Sequence, residues 1–241
     1  MKKYLLGAAA LLAMAAPAVA HADPTGYVGL DYANTHIDGL GSADGWGAEG
    51  AVAFDGGSGV AFELDANVLD NDSDTAWGAA GHLFVRNDQY LFGGFVGATT
   101  ADSDTVWNVG LEANSYFSPN WTLAGALQYG SDDDTNAWGV NAALRYFATD
   151  NFRIQGTAAW ADLDTPGGGD NLWSLGAGAE YQFATTPISL GLDYTHSETD
   201  DSDLSADSVK VSLRWNFGGG SLLERDRHGA SQADLVGVGA L

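Results

Sequence analysis

The 241-residue chain has no cysteine, only 5 prolines and only 9 lysine and arginine residues. Without cysteine, its stability cannot depend on disulfides. Its 32 acidic residues outnumber the basic ones and give a formal net charge of -23. A surface this acidic repels the phosphates of nucleic acids, so no nucleic-acid partner is expected. The composition indicates no cofactor.

Long apolar runs are also missing beyond the N-terminus. The chain starts with Lys2 and Lys3, followed by an apolar run from Tyr4 to Ala16 and a stretch of small residues. This order is typical of a secretory signal peptide, predicted over residues 1–22. The run is shorter than the ~20 residues that a membrane-spanning helix needs. We therefore expect an exported protein whose mature chain has a charge of 7 − 32 = −25.

Glycine is abundant, with 33 residues, and tryptophan recurs at intervals of 31, 30, 31 and 35 residues. The repeating tryptophans are Trp46, Trp77, Trp107, Trp138 and Trp173. Each follows an acidic segment and opens a stretch in which apolar residues alternate with small or polar ones. This period has the length of one β-hairpin, and a regular internal repeat predicts the whole architecture.

Alternation with a period of two residues predicts β-strands. The sequence contains twelve such runs. They lie near residues 26–34, 45–54, 59–68, 75–86, 89–99, 105–116, 121–130, 136–147, 152–162, 171–183, 188–196 and 208–217. In the fifth run Leu91 and Phe95 share the parity of Gly93 and Gly97, which suggests a β-bulge or a change of register there.

The segments between the runs alternate between two kinds. Short turns lie at 55–58, 87–88, 118–120, 149–151 and 185–187. Longer, acidic segments lie at 35–44, 69–74, 100–104, 131–135, 163–170 and 197–207. This pattern predicts an all-β protein, a transmembrane antiparallel up-and-down β-barrel over residues 23–217. It would have about 12 strands, short periplasmic turns and acidic extracellular loops.

The two faces of the predicted strands differ. One face carries the five tryptophans at the loop end and a second aromatic group toward the turn end, as expected of two membrane-interface belts. The other face is small and charged. Its candidate pore-lining charges are Asp31, Glu49, Glu63, Asp65, Glu112, Arg145, Arg153, Glu180, Asp193, Lys210 and Arg214. A dry core, as in a secreted β-sandwich, would bury these carboxylates at a cost of several kcal/mol each, which a water-filled lumen avoids.

Charge in the loops suggests how ions would behave at the outer mouth. Of the 32 acidic residues, 17 lie in the longer segments and an eighteenth, Asp162, directly precedes one of them. They would concentrate cations over a Debye length of ~8 Å, unless they only keep the exposed end soluble. Divalent cations are expected to bind weakly to these carboxylates and to bridge them to lipopolysaccharide phosphates. No defined metal site is predicted.

Four arginines, Arg86, Arg145, Arg153 and Arg214, lie on the lumen face near the turn end of their strands. Two interpretations remain open. The arginines could form a basic constriction, as charged rings do in selective channels. They could instead form fixed ion pairs with carboxylates on neighbouring strands.

The signal peptide, the alternating runs, the short turns and Phe217 at the end of the last run resemble small porin-type outer-membrane β-barrel proteins of Gram-negative bacteria. The resemblance covers residues 23–217 and implies passive diffusion of small hydrophilic solutes or ions, with outer-membrane lipid and lipopolysaccharide as surroundings. The oligomeric state stays open. Residues 218–241 extend beyond the last run and would form either a periplasmic tail or a partial plug of the lumen.

Two other function classes compete with a channel. A non-conducting structural or adhesive outer-membrane barrel would have the same strand pattern. A lipid hydrolase is less favoured, because the adjacent His196 and Ser197 would point to opposite faces of a strand and could not form a catalytic pair. We therefore do not expect an enzyme.

Overall fold

The computed structural model describes residues 24–55, 59–71, 74–101, 104–132, 135–165, 168–201 and 204–233. These residues form a closed barrel of twelve strands in which each strand pairs with its sequence neighbours and the first pairs with the last. All pairs are antiparallel. The predicted up-and-down β-barrel is thus confirmed. The predicted signal peptide, residues 1–22, lies outside the described residues.

The strands match the alternating runs in number and order. They are β1 (Thr25–Ile37), β2 (Gly41–Asp55), β3 (Val60–Asn71), β4 (Thr75–Arg86), β5 (Tyr90–Ala101), β6 (Asp104–Ser118), β7 (Trp121–Ser131), β8 (Asn136–Thr149), β9 (Phe152–Thr165), β10 (Gly168–Gln182), β11 (Ile188–Thr199) and β12 (Ser205–Phe217). We call the end where β1 begins and β12 ends the terminal end, and the opposite end the acidic end.

The strands reach further into the acidic segments than the sequence pattern predicts. The predicted loop 35–44 is reduced to residues 38–40, and the predicted loop 163–170 to residues 166–167. Connections at both ends therefore have only two to five residues. The physical reason is that both faces of a hairpin above a membrane meet water, so apolar alternation stops there although backbone pairing continues.

The hypothesised irregularity in the fifth run is wrong. β5 pairs with β4 and with β6 without any shift in register. Leu91 and Phe95 simply face inward, where both are buried. Their position in the alternation therefore indicated the correct face. The unexpected feature is that the barrel interior contains large apolar side chains.

Beyond β12 the chain turns back on itself. Gly218, Gly219 and Gly220 have φ angles of 84°, 80° and 89°, a left-handed conformation that favours glycine. A short helix follows, α1 (Leu222–His228), with a capping box in which Ser221 and Glu224 satisfy each other's backbone N–H groups. Residues 234–241 lie outside the described part of the chain.

Among the described residues, no helix is long and apolar enough to cross a membrane.

Candidate functional site in the barrel interior

The outward face is apolar along the strands. Of the five repeat tryptophans, Trp46, Trp77, Trp107 and Trp138 are exposed and Trp173 is half-buried against the ring of His196, with ring centroids 5.4 Å apart. Trp160, which the repeat did not include, pairs with Trp173 across β9 and β10. An exposed surface of this kind requires an apolar environment. The role of the tryptophans as a membrane-interface belt stays a prediction.

The acidic end carries its carboxylates on strand extensions as well as on connections. Asp44 lies two residues beyond Trp46 toward this end, and it accepts hydrogen bonds from Tyr32 Oη and Asn34 Nδ2, both at 2.7 Å. These hydrogen bonds hold the pKa of Asp44 below its usual value. Asp44 is therefore ionised at neutral pH. Of the 18 acidic residues in or directly before the predicted loops, Asp72, Asp102, Asp133, Asp134 and Asp203 lie outside the described residues.

Within the described ranges, no group of three or more histidine and acidic side chains is arranged to hold a metal ion. Weak binding of divalent cations at the acidic end stays a prediction.

The side of the interior formed by β9 to β12 and by β1 and β2 is lined by an ion-pair network. Arg214 Nε lies 2.6 Å from Glu49 Oε1, and its Nη1 lies 3.6 Å from Glu180 Oε2. Arg153 Nη2 lies 3.0 Å from the same Glu180 oxygen. Two of the four arginines on the lumen face are therefore ion-paired with carboxylates of the barrel wall.

Two further charges of this side are opposite in sign and adjacent. Asp193 and Lys210 are paired positions on β11 and β12, and Asp193 Oδ1 also accepts a hydrogen bond from Gln155 at 3.2 Å. Asp31 lies on β1 opposite Gly47. This side of the interior thus contains both charge signs.

A buried histidine bridges two carboxylates on the opposite side. His82 Nε2 lies 2.7 Å from Asp65 Oδ2, and His82 Nδ1 lies 2.9 Å from Glu112 Oε2. Its ring stacks on Phe95 with centroids 5.5 Å apart. Three strands, β3, β4 and β6, are thereby linked inside the barrel across the intervening β5. Alternation in the sequence places Asp65 and Glu112 on the lumen face, but it gives no sign that His82 joins them.

Apolar side chains also occupy the interior on this side. Phe84, Leu91 and Tyr116 pack with Ala61 near the terminal end. Phe95 packs with alanines of β7 and β8 closer to the middle. The predicted lumen face had small and charged residues, and the parity of Leu91 and Phe95 was a signal against it.

The segment after β12 contacts the inner wall of the barrel at several points. Arg145 Nη1 donates to Asp226 Oδ1 at 2.8 Å, and Thr122 Oγ1 donates to Asp226 Oδ2 at 2.6 Å. Arg86 donates to the backbone carbonyls of His228 and Gly229. The other two lumen arginines, Arg86 and Arg145, therefore bind this segment. Neither alternative of the sequence analysis anticipated that pairing.

The described end of the chain is bound by a single carboxylate of β3. The backbone N–H groups of Ser231, Gln232 and Ala233 donate to Glu63 at 3.1, 3.1 and 3.2 Å. Glu63 is fully buried. These three hydrogen bonds replace the water that the Glu63 carboxyl group loses on burial.

A second ion pair joins α1 to the opposite wall. Arg225 Nη2 donates to Glu180 Oε1 at 2.9 Å, and Arg225 Nη1 donates to Asn216 Oδ1. Residues 218–233 thus contact inward-facing side chains on nearly all sides of the terminal end. We call these residues the inner segment.

Two cavities lie beside the inner segment. The larger, of about 590 Å³, is lined mainly by β8 to β12 and includes Glu180, Asp193 and Lys210. The smaller, of about 280 Å³, lies at the terminal end and is lined by Arg225 and Asn216 among others. Glu180 lines one cavity and Arg225 lines the other. The Arg225–Glu180 ion pair therefore joins the lining of one cavity to the lining of the other.

Several solved structures with a similar fold are named as porins or channels. The KdgM porin (TM-score 0.56) and the NanC porin (TM-score 0.58) are each 9% identical to this chain; the matches cover 78% of it and 99% and 100% of those chains. The COG4313 outer membrane channel from Pseudomonas putida F1 matches with a TM-score of 0.59 at 10% identity, over 81% of this chain and 96% of that chain. Identities this low show the fold alone.

A comparison with curated protein sequences found no match. The sequence profile described as "Outer membrane protein beta-barrel domain" matches residues 85–217, which is more than half of the 241-residue chain. In barrels of this kind the strand connections face the periplasm at one end and the outside at the other. The chain belongs to the outer membrane protein β-barrel domain family and is a porin-type barrel of the bacterial outer membrane.

Proposed function

We propose that the protein is an outer-membrane channel for the passive diffusion of small hydrophilic solutes, with a mild preference for cations. The observation that carries this proposal is the cavity of about 590 Å³ inside the barrel, which is lined by hydroxyl, amide and charged side chains. Such a lining binds water, and it suits solutes that exchange hydrogen bonds with water for equivalent ones along a wall. The outward apolar face would contact outer-membrane lipid and lipopolysaccharide.

We further propose that the inner segment is a partial plug. It fills the β3 to β8 side of the terminal end through its contacts with Glu63 and Arg145. On the other side, Arg225 of the smaller cavity pairs with Glu180 of the larger one and would narrow a passage between them. Solutes would therefore cross on the side of β9 to β12, next to α1.

The cation preference rests on the distribution of charge. Acidic residues cluster at the end that the resemblance assigns to the outside, and few basic residues accompany them. Asp70, Asp162, Asp164 and Asp170 lie there at the ends of β3, β9 and β10. A negative mouth raises the local concentration of cations and lowers that of anions within about a Debye length.

In planar bilayers under a KCl gradient, we expect a reversal potential of the sign that indicates excess K⁺ permeation. Replacing Asp70, Asp162, Asp164 and Asp170 with asparagine should move this potential toward zero, because the substitution removes charge without changing size. Asp88→Asn, in the turn between β4 and β5 at the other end, is the matched control and should leave it nearly unchanged. An unchanged potential in the fourfold variant would contradict a selective role of the acidic end.

Liposome swelling with small sugars distinguishes the channel from a non-conducting structural or adhesive barrel. Swelling above that of protein-free liposomes is expected of a channel, and its absence would favour the non-conducting barrel. No geometry in the described residues favours a hydrolase at His196. Its Nδ1 lies 3.0 Å from Asp207 Oδ1, whereas Ser197 Oγ lies 2.8 Å from Ser174 Oγ on the inner face.

A further inference from the structure

The contacts of α1 define a site with two oppositely charged halves. We propose that the terminal end of the lumen contains a binding site for small zwitterions, that Arg225 and Asp226 of the inner segment occupy it, and that zwitterionic solutes compete with them. This inference rests on the proposed channel function and names the class of solute that the channel would select.

The first half of the site binds a carboxylate. Both oxygens of Asp226 have a donor from the barrel, Arg145 Nη1 at 2.8 Å and Thr122 Oγ1 at 2.6 Å. Arg145 and Thr122 are fully buried. Arg227 Nε of the inner segment adds a contact at 3.5 Å to Asp226 Oδ2. A buried arginine and a hydroxyl form charge-assisted hydrogen bonds with any carboxylate that reaches this position.

The second half binds a cation. The guanidinium of Arg225 donates to Glu180 Oε1 at 2.9 Å and to Asn216 Oδ1. Its Cζ also lies 5.6 Å from the centre of the Tyr27 ring, within the range of a cation–π interaction. Carboxylate, amide oxygen and aromatic face are the three groups that recognise an ammonium or a guanidinium group.

Side chains of the barrel wall hold the acceptors of the cation half in place. Glu180 also binds Arg153 at 3.0 Å and accepts a hydrogen bond from Ser189 Oγ at 2.6 Å. Asn216 Nδ2 lies 3.4 Å from Gln182 Oε1 and 3.3 Å from Ser189 Oγ, which directs its carbonyl oxygen toward Arg225. If Arg225 leaves, these acceptors keep their positions. A preorganised site binds a replacement ligand at low cost.

The arrangement of the two halves selects for a ligand with both charges. Asp226 and Arg225 are adjacent in sequence, so the site accepts a basic and an acidic group carried on one short molecule. The carboxylate half lies on β7 and β8, and the cation half on β10, β12 and β1. A simple anion or a simple cation would satisfy only one half. The cation half borders both cavities, on the path that we propose for solutes, and the carboxylate half lies beside this path on the side that the inner segment fills.

Isothermal titration of the full-length protein in detergent micelles with N-acetyl-Arg-Asp-amide tests this proposal. We expect the affinity for this peptide to exceed that for N-acetyl-Arg-Ala-amide and N-acetyl-Ala-Asp-amide by about tenfold or more, as loss of a charged hydrogen bond predicts. Thr122→Val and Glu180→Gln should each weaken binding by about tenfold. Thr157→Val, an inward-facing threonine in the larger cavity, is the matched control.

The affinities of two inner-segment variants for the peptide distinguish a binding site from a purely structural contact. Arg225→Ala and Asp226→Ala remove the internal competitor, so each should strengthen binding of the peptide. If the contacts of Arg225 and Asp226 with the barrel were only structural, these variants would weaken binding of the peptide or leave it unchanged. Either result would overturn the proposal. Equal affinity for the three peptides would overturn it as well. Since titration measures binding and not permeation, a channel that conducts but fails this test would refute the zwitterion site alone.

Discussion

A chain that ends at Gly220 should conduct ions severalfold better than the full-length protein. The truncation removes α1 and the residues bound to Glu63, so the terminal end of the lumen becomes open on the side that the inner segment now fills. It also removes Arg225, which lines the smaller cavity and binds Glu180 of the larger one. Single-channel recording in planar bilayers measures the change directly.

Two further variants show whether a change in conductance comes from the inner segment. Glu224→Gln is the matched control, because the side chain of Glu224 accepts a hydrogen bond from the backbone N–H of Ser221 and glutamine preserves this capping box. Its conductance should equal that of the full-length protein. The double variant Arg225→Gln and Asp226→Asn weakens both ion pairs and should show intermediate or fluctuating conductance. If the truncated barrel folds, as heat-modifiable migration in gels would show, and conducts like the full-length protein, residues 221–241 do not obstruct the lumen.

Replacing Leu213 with arginine should destabilise the protein by about 2–4 kcal/mol in lipid bilayers. Leu213 faces outward on β12 and lies between Leu30 of β1 and Leu190 of β11, so the new charge would enter a purely apolar surface. Arginine near the centre of a bilayer must be hydrated or must snorkel to the interface, and either response costs free energy. Equilibrium unfolding in urea of protein folded into vesicles gives the free energy of unfolding.

Ser208→Arg provides the control on the same strand. Ser208 lines the larger cavity, where water can hydrate the guanidinium. Its free energy of unfolding should change by less than about 1 kcal/mol. Equal effects of the two substitutions would contradict an assignment of one face to lipid and the other to water.

The barrel itself could be predicted from the sequence because alternation is a local signal. In β12, Val209, Val211 and Leu213 lie on one parity and Lys210 and Ser212 on the other, and this fixes which face is apolar without knowledge of any partner. The number and order of strands follow from repeating this argument. Strand ends did not follow, since alternation in hydrophobicity disappears where both faces are hydrated.

The interior could not be predicted in the same way. Parity shows that Arg145 faces inward, but it does not show that its partner is Asp226, 81 residues further along the chain. Contacts across a lumen depend on the closed shape of the barrel and leave no local pattern. The three glycines after Phe217 were a signal for a reversal of the chain, because consecutive residues with positive φ are accessible mainly to glycine.

The packing of large apolar residues inside the barrel could not be predicted for the same reason. Leu91 and Phe95 stood out on the lumen parity and were attributed to a bulge, because a water-filled lumen gives no reason for large apolar groups. In the structure Phe95 packs on His82, and Leu91 packs with Phe84 and Tyr116. These side chains fill the interior next to β3 to β8, and the larger cavity lies mainly next to β8 to β12.

Successive residues of each strand should face lipid and water in turn, and spin labels on adjacent residues measure this most directly. Because the chain has no cysteine, a single introduced cysteine labels one site at a time. Val140 and Leu213 are exposed on the outer face, whereas their neighbours Asn141 and Ser212 line the larger cavity. In bilayers, labels at 140 and 213 should be accessible to oxygen and shielded from a water-soluble nickel complex. Labels at 141 and 212 should show the reverse, and nickel access at 140 and 213 would contradict the account.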